Sequence, residues 1–379
     1  MNMPAYTDPR PTCVMDTEVF KNYWSIAFKP INVNKPVVRL KRTRSTELDT
    51  KRLATIFKNW RVITFNGINY DMPMIALAMS GADNAKLKEA SDAIIQQGLR
   101  PWEFMEMHGL TLPPWLDHID TMEVSPGSPQ KPSLKMYAGR LHSKTMKDLP
   151  FEIDRVLKPE DVPVLESYHD NDLDVTHDFA KELMPQIELR AAMSVQYGVD
   201  VRSRSDAQVA EAVIKAELER ELKRRIGRPE VKAHSFKYRA PPWIKFKTPV
   251  MQEIFQKIVE TNFVVTGKGE VELPTALAEA DIPIGEGVYR MGIGGLHSSE
   301  SKASHFSDDE FVILDRDVTS YYPSIILNNR LYPPHLGEAF LKVYRSIFER
   351  RVAAKAKAKE IGKRIAEIEA RIKGLEDGQ

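Results

Sequence analysis

Residues 311–327 read FVILDRDVTSYYPSIIL. Four apolar residues open the stretch: Phe311, Val312, Ile313 and Leu314. Such a run suits a strand buried on both faces in an α/β sheet. Asp315 and Asp317 stand at its end, and a polar pair, Thr319 and Ser320, follows. Tyr321, Tyr322 and Pro323 then lead into Ser324, Ile325, Ile326 and Leu327, and a Pro in the first turn predicts a helix start there. The reading is a strand that hands over to a helix with an acid at the junction, where α/β folds hold metals or phosphates. A strand, a turn and a surface Asp are the plain alternative.

The longer string, from Asp317 through Ser320, Tyr322, Pro323 and Ser324 to Ile326, narrows the choice. It resembles motif A of family B DNA polymerases, D-x-x-S-L-Y-P-S-I-I, with Tyr321 in place of the usual Leu. The resemblance implies that Asp317 is a catalytic metal ligand of the palm and that the Val318 carbonyl is a second ligand beside the nucleotide. It also implies that Tyr322 packs under the incoming dNTP sugar and rejects a 2′-hydroxyl, the group that separates RNA from DNA.

Composition bounds the rest. The 379 residues are enough for two or three domains. Hydrophobic residues at 42% and charged residues at 28% describe an ordinary globular chain. The net charge of +1 gives no global field toward nucleic acid, so any basic surface is local. The single cysteine, Cys13, rules out an intramolecular disulfide and reads as a small core residue. There is no signal peptide and no apolar run of about 18 residues, so the expected location is cytoplasmic (host cytoplasm if viral), away from the membrane.

Near the start, Thr12 to Met15 is apolar and ends in Asp16-Thr17-Glu18. A strand repeats every second residue, so both carboxylates share one face, where they repel unless a cation sits between them. Oxygen ligands of this kind suit Mg²⁺ or Mn²⁺. Taken alone, the pair also describes a solvated strand face. Strands are expected from Tyr23 to Phe28, Val37 to Leu40 and Arg61 to Phe65, and a helix from Lys51 to Asn59. Asn66, Gly67, Tyr70 and Asp71 close the last of these strands before a helix over residues 72–79. A further helix is expected near residues 85–97, and His118-Ile-Asp120 ends another strand. Its spacing matches no zinc pattern, so His118 and Asp120 read as ordinary surface residues. Ser133 and Leu134 open an amphipathic segment reaching about Leu141. Tyr168 and Asp172 lie four apart on a helix that runs through Leu183 and point from one face.

In order and spacing these pieces resemble the three motifs of the DEDDy 3′–5′ exonuclease domain of family B polymerases. Asp16 and Glu18 match D-x-E, Asn66, Tyr70 and Asp71 match the second motif, and Tyr168 and Asp172 match Y-x₃-D. Ser133, Leu134 and Tyr137 fit the (S/T)-L-x-x-h element of protein-primed phage polymerases. The resemblance implies an RNase H-like α/β (α+β) fold and two Mg²⁺ or Mn²⁺ ions per active site, held in the nuclease by Asp16, Glu18, Asp71 and Asp172. Asp16 is then the bridge between the ions, and Tyr168 aims the attacking water. A phenol with a pKa near 10 stays protonated at neutral pH and is no base. Asn66, Tyr70, Ser133, Leu134 and Lys144 are implied to bind single-stranded DNA.

Downstream, Ser205 caps an expected helix from Asp206 to about Ile226. Residues 202–247 are rich in Lys and Arg, with Phe236, Tyr238, Trp243 and Phe246 interleaved. That mixture suits a nucleic-acid channel and equally a solvated surface. The glycines around Gly267, Gly269, Gly285 and Gly287 lack the strand–loop–helix context of a phosphate loop. Tyr289 to Ser298 resembles the Gly-Gly segment between exonuclease and palm; a Gly-rich hairpin is the alternative. Residues 338–374 form a long helical pattern with an apolar stripe of Ile361, Ile365, Ile368 and Ile372.

The expected organisation is an exonuclease domain over residues 1–185 and a connecting, DNA-contacting region over 186–300. A partial palm over 301–340 and the start of a fingers helix over 341–379 follow. Motifs B and C of the family are not found, so primer extension is expected to need a C-terminal polymerase chain that carries them. The expected substrates are single-stranded and primer–template DNA and dNTP. Two rivals are a stand-alone 3′–5′ exonuclease and a non-catalytic DNA-binding or assembly subunit of a split polymerase.

Overall fold

The protein is mixed α/β, and the computed structural model describes residues 9–126, 132–229, 234–266, 270–318 and 320–376. Gly267, Gly269 and Thr319 lie outside the described residues. The chain divides into two units, Met1–Arg224 and Arg225–Gln379. The expected boundary after residue 185 falls inside the first of them.

The first unit is built on strands β1 (Thr12–Phe20), β2 (Tyr23–Pro30) and β3 (Val38–Arg42), helix α1 (Thr50–Asn59) and strand β4 (Arg61–Thr64). Helices α2 (Asp71–Met79), α3 (Asn84–Gln96) and α4 (Pro101–Met107) precede strand β5 (His118–Asp120). Helices α5 (Thr121–Val124), α6 (Leu134–Arg140), α7 (Val162–Glu182), α8 (Met184–Tyr197) and α9 (Asp206–Leu222) complete it. The sheet order is β3-β2-β1-β4-β5. The first three strands are antiparallel, whereas β4 runs parallel to β1 and β5 parallel to β4.

Alternation along β1 assigns its two faces. Cys13 and Met15 join Trp24, Ile26 and Phe28 in a core with Leu53, Phe57, Met72, Leu87 and Phe104 from α1 to α4. Val14 joins Ala27, Ile63 and Ile119 in a second core with Tyr137, Leu173, Phe179 and Ile187 from α6 to α8. Helices thus cover both faces, which is why β1 and β2 are apolar on both sides. A smaller cluster, Phe20, Tyr23, Leu157 and Leu165, anchors the start of α7 to the β1–β2 hairpin.

The second unit contains a two-stranded sheet of β6 (Ser235–Lys237) and β7 (Asn262–Val264), with helix α10 (Pro249–Glu260) between them. After helix α11 (Thr275–Ala278) comes an antiparallel meander of β8 (Ile282–Ile284), β9 (Gly287–Gly292) and β10 (Gly295–Ser298). The glycine-rich stretch is therefore a hairpin. Helices α12 (Tyr321–Asn328) and α13 (Glu338–Glu376) end the described chain. Ile361, Ile365, Ile368 and Ile372 on α13 stay about half exposed, so the stripe is present and uncovered.

One expectation fails in this unit. Residues 311–314 form no strand, and Phe311, Val312, Ile313 and Leu314 are 56–72% exposed. Local polar groups capture the backbone instead. The Asp308 carboxylate accepts from the N–H groups of Glu310 (2.9 Å) and Phe311 (2.7 Å). The Ile313 N–H donates to Ser307 Oγ at 3.2 Å. Side chains that bond the backbone nearby compete with a strand ladder, and among the described residues no strand pairs with this segment. The helix start that follows does form, as α12, with Ser320 at its N-cap in a left-handed conformation (φ 51°).

Candidate active site

A cleft of about 630 Å³ in the first unit is lined by Asp16, Glu18, Asn66, Tyr70, Asp71, Tyr168 and Asp172. These residues come from β1, the turn after β4, the start of α2, and α7. The even-numbered face of β1 that buries Val14 also carries Asp16 and Glu18, and α7 packs on that face. Tyr168 and Asp172, one helical turn apart on α7, meet the pair there. Asp71 opens α2 and is buried; Thr17 Oγ1 on β1 donates to its Oδ1 at 2.5 Å.

The electrostatics are those of crowded acids. Burial pushes Asp16 and Glu18 well above the ordinary carboxylate range, and neighbouring Asp71 and Asp172 push both further. The Glu18 carboxylate also raises Asp16, while Arg39 pulls Glu18 back. Burial brings Asp71 up to about 7, against the Thr17 hydrogen bond. Burial raises Asp172 too, opposed by hydrogen bonds from Tyr168 and Asn171. Tyr168 is itself held protonated by burial and by the Asp172 carboxylate to which its hydroxyl is bonded. The Lys135 ammonium lies 5.8 Å from the Tyr168 ring centre.

Carboxylates that desolvation and like charge drive toward protonation fit a site for hard divalent cations, whose charge reverses both effects. Among the described residues no group of three or more His, Cys, Asp or Glu side chains already stands in a ligating arrangement. Loading such a cation therefore requires side-chain adjustment.

Not every expected residue reaches the cleft. Ser133 is the N-cap of α6, its hydroxyl accepting from the Met136 N–H at 3.3 Å. Ser133, Leu134 and Lys144 do not line the cleft, and Lys144 is exposed in the segment after α6. Tyr70 does line it, with its hydroxyl tied to Ser91 Oγ of α3 at 2.8 Å. In the second unit Asp317, Val318 and Tyr322 are exposed, and the Tyr322 hydroxyl donates to the Gly294 carbonyl at 3.5 Å.

Two residues of this region are not predicted from the sequence, and a third is predicted at the surface. His169 is fully buried. Its Nε2 lies 3.1 Å from the Asp16 carbonyl, and its Nδ1 lies 3.3 Å from Ser25 Oγ. A carbonyl only accepts, so Nε2 carries the hydrogen and the Ser25 hydroxyl donates to Nδ1. Burial lowers the His169 pKa to about 3, which keeps the ring neutral. Its signal was its place beside Tyr168 on α7. Lys88 lines the cleft from α3, buried, with its ammonium on Asp92 and 3.3 Å from Asp154.

The third is Asp120, expected at the surface and in fact fully buried, with a half-buried His118 two residues before it. Its strand pairs with β4 at the edge of the sheet, and its carboxylate accepts from backbone N–H groups of the turn after β4. His118 Nε2 is 2.7 Å from Thr64 Oγ1. Burial and repulsion from Arg202 lower the His118 pKa to about 3. Nothing in a short His-Ile-Asp string signals that both polar groups find partners far along the chain.

Among the described residues no helix is long and apolar enough to cross a membrane. Compared with protein-family models, with curated proteins and with solved structures, the chain matches none.

Proposed function

We propose that the first unit is a two-metal 3′–5′ exodeoxyribonuclease of RNase H-like fold, and that the chain is the N-terminal part of a family B DNA polymerase. The observation that carries this reading is the convergence of Asp16, Glu18, Asp71, Asp172 and Tyr168 in one cleft from elements far apart in sequence. The sheet order β3-β2-β1-β4-β5, with three antiparallel strands followed by two parallel ones, supports the fold assignment.

Asp16, Glu18, Asp71 and Asp172 would hold two Mg²⁺ or Mn²⁺ ions. Bound there, the ions would make a nucleophile from water and stabilise the leaving 3′-oxygen. The protein's own contribution is placement. Thr17 fixes Asp71, and His169 fixes the strand at Asp16. The protonated Tyr168, bonded to Asp172, is placed to orient a water and never to deprotonate it. Asn66 and Tyr70 at the cleft wall receive the single-stranded 3′ end.

In the same reading Asp317, Val318 and Tyr322 belong to a polymerase palm completed by a C-terminal chain that carries motifs B and C. The exposed apolar residues at 311–314 are consistent with a strand awaiting sheet partners. Exposed Tyr238 and Trp243 in a basic segment suit contact with single-stranded DNA. The test is one assay of the purified chain with Mg²⁺ and a 5′-labelled primer–template, with and without dNTP. Shortening from the 3′ end and no extension is the expected result. An inert chain would favour a DNA-binding assembly subunit.

A further inference from the structure

Asp120 stands at the end of β5, outside every motif discussed above, and its side chain is fully buried. Its Oδ1 accepts from the N–H groups of Asn66 (2.9 Å) and Met122 (3.0 Å), and its Oδ2 accepts from the N–H of Ile68 (2.9 Å). Only the Met122 bond is a local helix cap. The other two reach a turn 54 and 52 residues earlier in the chain.

That turn needs holding. Asn66 adopts a left-handed conformation (φ 63°), which costs a non-glycine residue energy. Gly67 has no room for a side chain, since an added Cβ would run into Thr64. The Asn66 carbonyl accepts from the N–H groups of Asn69 (3.1 Å) and Tyr70 (3.2 Å), and Asn69 Nδ2 donates to Asn66 Oδ1 at 2.8 Å. A carboxylate gripping two of the turn's N–H groups offsets the strain and fixes where Asn66 and Tyr70 stand.

Asp120 is braced in turn. Its own N–H donates to Ser203 Oγ at 2.9 Å. The preceding residue, Arg202, is buried with Nη1 on Asp117 Oδ1 at 2.5 Å, and Arg61 Nε holds the other oxygen of Asp117 at 2.9 Å. The segment between α8 and α9 is thereby tied to both ends of β5.

Resting on the nuclease reading, we infer that Asp120 is a positioning residue for substrate: it builds the 66–70 turn that grips the single-stranded 3′ end. Asp71, at the end of the same turn, has a separate anchor in Thr17. Loss of the Asp120 carboxylate therefore loosens strand binding and leaves the metal ligands placed.

The experiment compares wild-type chain, Asp120→Asn, Asn66→Ala and the double variant on a single-stranded oligodeoxynucleotide. Steady-state digestion in Mg²⁺ is paired with fluorescence anisotropy in Ca²⁺, which keeps the strand intact. Asp120→Asn is expected to raise KM and Kd about tenfold with kcat changed by less than about twofold, the pattern of lost uniform binding. The double variant is expected to match Asn66→Ala, because residues acting as one unit are not additive. A fall in kcat at constant KM, or fully additive losses, would overturn the assignment. If Asp120→Asn does not fold, Ser203→Ala decides, with a smaller rise in Kd expected and no rise overturning it. A wild-type chain that binds the strand without digesting it sinks the nuclease reading alone, and equal Kd for wild type and Asp120→Asn sinks the positioning role.

Discussion

The cleft of the first unit and residues 311–327 of the second both begin in sequence as apolar runs ending in acids, yet they fold differently. In β1 the apolar residues pair on both edges, with β2 and β4, and are covered on both faces. Asp16 and Glu18 are thereby held where α7 and α2 bring further carboxylates. At Phe311 to Leu314 no strand pairs, the side chains remain in solvent, and Asp317 is exposed with them. A strand is a property of its neighbours more than of its own residues. The comparison teaches that an acid becomes a site only when the sheet carrying it is complete.

The largest expected effect separates the two regions by activity. Asp16→Ala or Asp172→Ala should reduce metal-dependent release of 3′ mononucleotides about a thousandfold or more, the scale of losing a group that stabilises developing charge. Asp317→Ala should digest a labelled single strand at the wild-type rate. A nuclease defect in Asp317→Ala would erase the distinction between the regions.

Next in size is His169. Removing a ligand's outer support commonly costs about 10- to 100-fold in activity. His169→Ala is expected to fall in that range, with partial recovery in His169→Gln, whose amide can still donate to the Asp16 carbonyl. Digestion rates at saturating Mg²⁺ check this, and full activity in His169→Ala would remove it from the site.

Stability against pH gives a third contrast. A carboxyl raised from about 4 to about 7, as Asp71 is, favours the folded state at low pH. That contribution is fully present below the unfolded pKa and is lost as pH rises through the folded one. His118 and His169, whose pKa values fall to about 3, act in the opposite sense and weaken folding as pH drops below about 6.5. Asp71→Asn isolates the first effect. In chelator it should melt with the wild type at pH 4 and above it at pH 8, as followed by thermal denaturation. Parallel melting curves across that range would show that Asp71 carries no such shift.

The smallest effect is the one that tests the exposed segment. Leu173→Ala, in the core beneath the cleft, should cost about 3 kcal/mol in a denaturant titration. Val312→Asp should change stability by no more than about 0.5 kcal/mol, as for an ordinary surface site. Strong destabilisation by Val312→Asp would mean that residues 311–314 are buried in the protein in solution.

Local signals in the sequence carried the elements. Apolar runs, the Asp-x-Glu spacing on a strand and the four-residue spacing of Tyr168 and Asp172 on a helix depend only on periods of two and 3.6. They determined β1, β2, β4 and α7, while the carboxylates that line the cleft were picked out by the resemblance of the ordered motifs to an exonuclease. The Ser205 cap and the Pro-led helix at Tyr321 were legible for the same reason. The tertiary structure alone decided the rest. His169 meets Asp16 across 153 positions and Asp120 meets Asn66 across 54, and no local pattern encodes such a contact. Burial of Asp120 and exposure of Phe311 reverse what each residue type suggests. Whether a side chain is buried depends on which surfaces pack over it and which strands pair beside it, and neither is written in its own neighbourhood of the chain.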